Sequence, residues 1–354
     1  MTGIGVVGTG SYLPEQIISN EMIAPRAGVD AAWIARKTGI LSRRRATEDQ
    51  ASSDLAVAAA QRALHSAGIE AAQLDYVVVA TSTPDHPQPA TANLVQAAIG
   101  ARTAGAFDVN AVCSGFIYAL SVTESLLRVR PHSGYGLVVG VDIYSRILDY
   151  TDRRTAVLFG DGAGAVVLGP CAPGAGLLGT RLRSHGNFNE LIQVPAGGSR
   201  IPPSVESLAR GDHFFKMQGR GVREFVAQEL PPAVFGLLGQ VGRAAHEVKH
   251  IIPHQANLRM LEELQPEFGL TGAQMHLTVE SYGNTGAASV PITLDEAYRS
   301  GRLEVGDLVM LAAFGGGMNI GATLCMWSMV PAEERARPAA AARPSDVGKE
   351  LIGA

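Results

Sequence analysis

Residues 106–121 read AFDVNAVCSGFIYALS, and the change of period inside this stretch decides the fold. Phe107 to Ala111 has the alternation of a buried strand, whereas Phe116, Ile117, Leu120 and Leu127 recur at helical spacing from Ser114 onward. Cys113 stands at the junction. The first turn of a helix offers unpaired amides and the positive end of the macrodipole, and both favour thiolate over thiol, so Cys113 is expected to be a nucleophile. Gly115 has no Cβ and leaves room for an acyl group or a second backbone segment to come close. A lone cysteine is more often a small buried apolar residue, so the assignment depends on the partners that the rest of the chain supplies.

Strands and helices alternate outward from this junction. Ile4 to Val7 reads as a strand, Asn20 to Met22 opens a short helical stretch, and Ser53 to Gly68 and Ala90 to Ile99 read as helices. Asp75 to Thr81 (DYVVVAT) is an uninterrupted β-branched run, the signature of a strand covered on both faces, and Leu137 to Val141 is another. Thr155 to Leu168 reads as two strands joined through a Gly-rich turn. The alternation predicts an α/β fold with a mainly parallel sheet. Three landmarks of the first half return in the same order in the second. Phe159-Gly160-Asp161-Gly162 matches Phe314-Gly315-Gly316-Gly317, Cys113 matches Asn284 in YGNTGAAS, and Tyr76 to Ala80 matches His250 to Pro253. This predicts a duplicated unit with a boundary near Pro170 to Gly176, giving halves 1–172 and 173–330. Residues 331–354 turn to Ala, Pro and Arg and are expected to form a disordered tail.

Composition narrows the function. The 354 residues, 46% hydrophobic and 18% charged, describe an ordinary soluble protein with a large core. Three cysteines (Cys113, Cys171, Cys325) are too few for a disulfide framework, which points to a reducing, cytoplasmic setting. The N-terminus lacks the basic region of a secretory signal, and no apolar stretch is long enough to span a membrane. A net charge of −4 argues against a nucleic-acid partner. Gly3, Gly5 and Gly8 satisfy the dinucleotide fingerprint only as a bare pattern, because the strand would lie inside the motif instead of before it. His246, His250 and His254 at four-residue spacing do not make a metal-binding helix face, since Pro253 interrupts it and Ile251-Ile252 favours a strand. No metal and no permanently bound cofactor is expected.

Two polar residues remain as partners for Cys113. His254 opens the turn after the apolar run HIIP, and Asn284 sits in a Gly-bounded turn ahead of a small-residue helix. In open α/β sheets such ends converge on one crevice. There Cys113 would accept an acyl group from a thioester. A neutral His254 and Asn284 would donate hydrogen bonds to a second thioester carbonyl as enolate charge develops with loss of carbon dioxide from a malonyl group. One amide of Gly315 to Gly317, with that of Cys113, would hold the tetrahedral oxyanion.

The motifs DVNAVCSGF, TDRRTAVLFGDGAGAVVL, PHQANLRM, YGNTGAAS and FGGG stand in the order found in β-ketoacyl-acyl-carrier-protein synthase III. On them the chain, over residues 1 to about 330, resembles that family of the thiolase superfamily. The resemblance implies a thiolase-like fold, a duplicated α/β unit in a layered α/β/α/β/α architecture. It implies Cys113, His254 and Asn284 as the catalytic triad and Cys113 with Gly316 as the oxyanion hole. It also implies that Trp33 and Arg153 stack on the adenine of coenzyme A, that Gly219 and Asn257 line the pantetheine tunnel, and that the protein is a homodimer. The implied reaction is acylation of Cys113 by an acyl-CoA, then decarboxylative condensation with malonyl-acyl carrier protein. Departures bear on the substrate. Gln88 stands where the family commonly places a Phe at the base of the dimer mate's acyl pocket, and a buried amide is costly unless paired. This points to a starter other than acetyl, larger or polar, in fatty-acid or polyketide-type biosynthesis. Arg223 replaces a tunnel Phe and Lys37 an Arg. Arg259, Arg220 and Arg223 form either a docking surface for an acidic carrier protein or an ordinary solvated charge face. Two other readings stay open: acyl transfer to a hydroxyl or amine without decarboxylation, and a non-catalytic thiolase-fold partner subunit.

Overall fold

The computed structural model describes residues 3–329 except positions 131 and 133, so the expected tail at 331–354 lies outside the described residues. Two five-stranded sheets form the frame. The first contains β1 (Gly3–Tyr12), β4 (Leu74–Ala80), β5 (Gly105–Val109), β6 (Tyr135–Asp142) and β7 (Gly162–Cys171), in the order β1-β7-β6-β4-β5. The second contains β8 (Gly176–Ser184), β11 (Val248–Pro253), β12 (Gln274–Met275), β13 (Leu308–Gly315) and β14 (Asn319–Met326), in the order β12-β11-β13-β14-β8. Two short ribbons, β2 (Gln16–Ser19) with β3 (Ser42–Arg45) and β9 (Ile192–Gln193) with β10 (Lys216–Met217), complete the strands. Each sheet has the same sequence of pairings, two antiparallel and then two parallel. The sheets are therefore mixed and not mainly parallel as the sequence suggests. The reason is that β6 is followed in its sheet by β7, and β13 by β14, with no crossover helix to return the chain in the same direction.

The helices are α1 (Asn20–Ala27), α2 (Ala31–Thr38), α3 (Ser52–Ala67), α4 (Thr91–Ile99), α5 (Gly115–Arg128), α6 (Val205–Ala209), α7 (Gly219–Val241), α8 (Leu258–Glu267), α9 (Val279–Tyr282) and α10 (Ser289–Arg299). Strand alternation explains the layering. In β4, Val78 and Ala80 face a central core that contains Phe116, Ile117 and Leu120 of α5 and Val290 and Leu294 of α10, while Val77 and Val79 face the core under α3 and α4. In β13, Val309 and Leu311 point to the same central core, and Met310 and Ala312 to the one shared with α7 and α8. Helices thus lie outside, between and outside the two sheets, in the layered thiolase fold. Gly8 lets α3 settle on β1, because a Cβ there would sit 2.6 Å from that of Ala67; this is packing, not a phosphate cradle.

One predicted strand is absent. Residues 155–158 are turns, with Ala156 N–H donating to Asp152 O (2.9 Å) and Leu158 N–H to Thr155 O (3.1 Å). Asp152 also folds back on the Arg154 amide (3.0 Å), so local side-chain bonding outweighs the β-branched pattern. Among the described residues no helix is long and apolar enough to cross a membrane.

Candidate active site

β5 ends at Val109, and a single 3₁₀ turn, Val112–Ser114, carries Cys113 into α5. Val112 has φ 50°, a left-handed conformation rare for a β-branched residue, so the turn is sharply bent immediately before the sulfur. Gly315 at the end of β13 packs on this turn. A Cβ there would come within 2.7 Å of the Cys113 amide nitrogen, so only glycine brings the FGGG segment this close. His254 follows β11, its amide bonded to Ala312 O (2.8 Å), and Asn284 is clamped between Leu158 and Gly160 by two backbone bonds (2.9 and 3.0 Å). The three side chains line one cavity of about 210 Å³. Its other walls include Phe159, Phe215, Met217 and Phe314, with Lys37, Arg223 and Arg259 also lining it.

The hydrogen bonds set what each polar group presents. Gly286 N–H donates to Asn284 Oδ1 (2.9 Å), which fixes the carboxamide and leaves its NH₂ as the free donor. His254 Nδ1 is 2.7 Å from the Ser289 hydroxyl, leaving Nε2 for the cavity. Burial pushes His254 down to about 3, so the imidazole is neutral at physiological pH.

The thiol departs from the expectation. Burial and then the Asp142 charge push Cys113 up to about 12, so the resting residue is a neutral thiol and not the thiolate that a helix start suggests. Tyr144 Oη lies 3.9 Å from Sγ and 3.1 Å from Ser82 Oγ. Ser82 in turn donates through its amide (2.8 Å) and hydroxyl (3.0 Å) to Asp142, a fully buried carboxyl that burial raises to about 6. A measurable consequence follows for alkylation of Cys113 by iodoacetamide, read by intact mass. The rate is expected to climb about tenfold per pH unit from pH 7 to 9.5 without levelling off; a plateau below pH 8 would show a resting thiolate.

The remaining sequence-predicted residues divide into those at the cavity and those away from it. Gly219, at the start of α7, and Asn257, whose side chain caps α8 by accepting from Met260 N (2.9 Å), both line the cavity. The Arg153 guanidinium stands over the Trp33 ring at 5.9 Å. Trp33 lies one turn before Lys37 on α2, so the stack is on the helix face that reaches the cavity. Gly316 is not part of the cavity wall; it packs against Ile192 and Val112 beside Gly315. Gln88 is exposed in its Pro-rich loop, outside the cavity of its own chain. Arg220 pairs with Glu224 (2.8 Å), Arg223 with Glu263 (2.5 Å) and Arg259 with Glu262 (2.8 Å), so the three arginines meet three carboxylates. Sequence patterns do not reveal Tyr144 or Phe215, and Ser289 enters only as the last residue of YGNTGAAS. Tyr144 follows the C-terminal end of β6, the kind of position that led to Cys113 and His254, and its ring stacks on Phe159 (4.3 Å) with Phe215 edge-on to both.

Comparison with known proteins agrees over nearly the whole length. Residues 107–186 match the family described as 3-Oxoacyl-[acyl-carrier-protein (ACP)] synthase III, and residues 238–327 match the C-terminal part of that enzyme. The chain is 53% identical to the acetoacetyl CoA synthase NphT7 of Streptomyces sp. (strain CL190), covering 91% of this chain and 98% of the relative. It is 41% identical to the β-ketoacyl-[acyl-carrier-protein] synthase III of Caldanaerobacter subterraneus subsp. tengcongensis, covering 92% and 98%. Among solved structures, the 3-oxoacyl-[acyl-carrier-protein] synthase III of Aquifex aeolicus VF5 superposes with TM-score 0.84 at 35% identity (92% and 100% covered). The priming β-ketosynthase of the R1128 polyketide pathway gives 0.85 at 29% (93% and 97%). With its fold, the site at the β5–α5 junction and this similarity along more than nine-tenths of its length, the chain belongs to the β-ketoacyl-[acyl-carrier-protein] synthase III family.

Proposed function

We propose that this enzyme condenses a small acyl group held on Cys113 with a malonyl thioester. In the first step Cys113 Sγ attacks the acyl carbon of an acyl-CoA, the carbon–sulfur bond to CoA breaks, and the thiol proton leaves with the CoA sulfur. In the second, the malonyl carboxylate departs as carbon dioxide, and the electron pair forms an enolate whose oxygen accepts from His254 Nε2–H and Asn284 Nδ2–H. The enolate carbon then bonds to the acyl carbon, the carbon–sulfur bond to Cys113 breaks, and the sulfur takes a proton from water to return to the neutral thiol. The observation that carries this reading is the cavity shared by a sulfur, a neutral imidazole and a carboxamide held with its NH₂ free. An imidazole whose conjugate acid forms only near pH 3 is a poor base toward a hydroxyl or amine, which favours condensation over simple acyl transfer. The amides of Cys113 and of the FGGG segment, at Gly315 or Gly316, would hold the tetrahedral oxyanion, and the Trp33–Arg153 pair would take the adenine of CoA.

Two substrate choices follow. Tyr144, 1% exposed, sets its Oη 3.9 Å from Sγ and packs against Phe159 and Phe215, which wall the same cavity, and this supports an acetyl-sized starter over the larger or polar one that Gln88 suggests. The paired arginines leave little net positive field for an acidic carrier, and NphT7 is by name an acetoacetyl CoA synthase, so the extender is taken as malonyl-CoA and the product as acetoacetyl-CoA. The unpaired edge of β5, where Phe107 and Val109 are only partly buried, supports a second copy covering that edge. The test is a panel of acyl-CoA starters with malonyl-CoA or malonyl-carrier protein. Wild type is expected to prefer acetyl, losing about 10–100-fold per added methylene beyond the pocket's length. Tyr144→Leu should shift the preference to four-carbon starters, while Tyr144→Phe should keep the acetyl preference. A wild-type preference for longer or polar starters, or for the carrier-bound extender, would overturn these choices.

A further inference from the structure

Ser289 is the first residue of α10, 1% exposed, and its hydroxyl faces two groups. The Gln255 amide N–H donates to Ser289 Oγ (3.3 Å), and His254 Nδ1 lies 2.7 Å from the same oxygen. Among the described residues no other hydrogen-bond partner of that hydroxyl is present. With one lone pair taken by the Gln255 amide, the hydroxyl proton has a single acceptor, His254 Nδ1. An imidazole that accepts at Nδ1 while neutral carries its proton on Nε2. From this geometry we infer that Ser289 is a positioning residue that fixes His254 in the Nε2–H tautomer, making the imidazole a hydrogen-bond donor to the extender's thioester carbonyl and not a proton acceptor for Cys113. The inference rests on the proposed condensation, since it assigns His254 to the second half-reaction alone. Neutrality of the ring, which burial enforces, is what allows the tautomer to be chosen at all. The Gln255 side chain locks the supporting turn. Its Nε2 donates to Pro253 O (2.8 Å) and its Oε1 accepts from Thr278 N (2.9 Å), so the amide aimed at Ser289 cannot swing away.

The test separates the tautomer from the reaction. Protein labelled with ¹⁵N-histidine distinguishes protonated from unprotonated ring nitrogens by chemical shift, with the His254 signals assigned by their loss in His254→Ala. Wild type is expected to show His254 protonated at Nε2, and Ser289→Ala to show a shift toward Nδ1–H. In single-turnover assays Ser289→Ala should acylate Cys113 from acetyl-CoA at the wild-type rate, which also reports correct folding, yet decarboxylate malonyl-CoA about 10–100-fold more slowly. A wild-type Nδ1–H tautomer, or a Ser289→Ala protein unchanged in both tautomer and decarboxylation, would overturn the inference even with condensation intact. If wild type releases no carbon dioxide from any malonyl thioester, the proposed reaction fails instead, while the tautomer spectrum still decides the role of Ser289. Should Ser289→Ala fail to fold, the wild-type spectrum alone decides.

Discussion

Cys113→Ala is expected to abolish product formation, with a fall on the order of 10³-fold or more in turnover, and to remove the acyl mass that wild type is expected to gain from acetyl-CoA. Both effects have one cause: in the proposed scheme the acyl group is carried as a thioester on this sulfur. The variant keeps His254 and Asn284, whose partners Ser289 and Gly286 are untouched, so slow carbon dioxide release from malonyl-CoA should persist without a β-ketoacyl product. Retained acyl labelling in Cys113→Ala, at Cys171 or Cys325, would move the nucleophile elsewhere.

The second large effect splits the reaction the other way. In the proposed scheme His254→Ala or Asn284→Ala removes one of two N–H donors to the enolate oxygen. Losing one donor of this kind costs about 10²–10³ in rate, roughly 2.7–4 kcal/mol. Acylation of Cys113 should change little, because neither donor touches the starter's carbonyl in the proposed scheme. Asn284→Asp separates shape from donation: the carboxylate keeps an oxygen toward Gly286 N–H but sets negative charge against the developing enolate. It should be at least as damaging as alanine. An Asn284→Ala protein that decarboxylates malonyl-CoA normally would remove Asn284 from the mechanism.

The frame is legible in the sequence wherever burial acts on both faces of a strand. Tyr76 to Ala80 and Leu137 to Val141 are apolar without interruption because helices cover them from both sides, and the matching landmarks in the second half reflect two sheets of identical pairing. Residues 155–158 mislead because Asp152 organises them through bonds that leave no period in the sequence. The charge state of Cys113 misleads for a different reason. A helix start is a local feature, but the burial that holds the proton on sulfur is set by the tertiary fold, which brings Tyr144 Oη to 3.9 Å from Sγ and Phe159 and Phe215 onto the same cavity wall. Ser289 contacts a residue 35 positions away, so that contact depends on how the turn at Gln255 meets α10. The arginine surface is an intermediate case. Glu224 four residues after Arg220 and Glu262 three after Arg259 are helix-spaced pairs visible in the sequence, whereas Arg223 with Glu263 joins two helices and requires the fold.

In the proposed reaction one sulfur and two N–H donors in a single cavity divide a condensation between them. This division is tested most directly by loading Cys113 with acetyl from acetyl-CoA, removing excess reagent, and adding malonyl-CoA while intact mass, carbon dioxide and thioester products are followed together. The acetyl mass is expected to leave Cys113 in step with carbon dioxide, with one acetoacetyl thioester formed for each, and Asn284→Ala is expected to keep the acetyl group in place over the same interval. Departure of the acetyl group without carbon dioxide, or carbon dioxide release that leaves wild-type Cys113 acetylated, would contradict it.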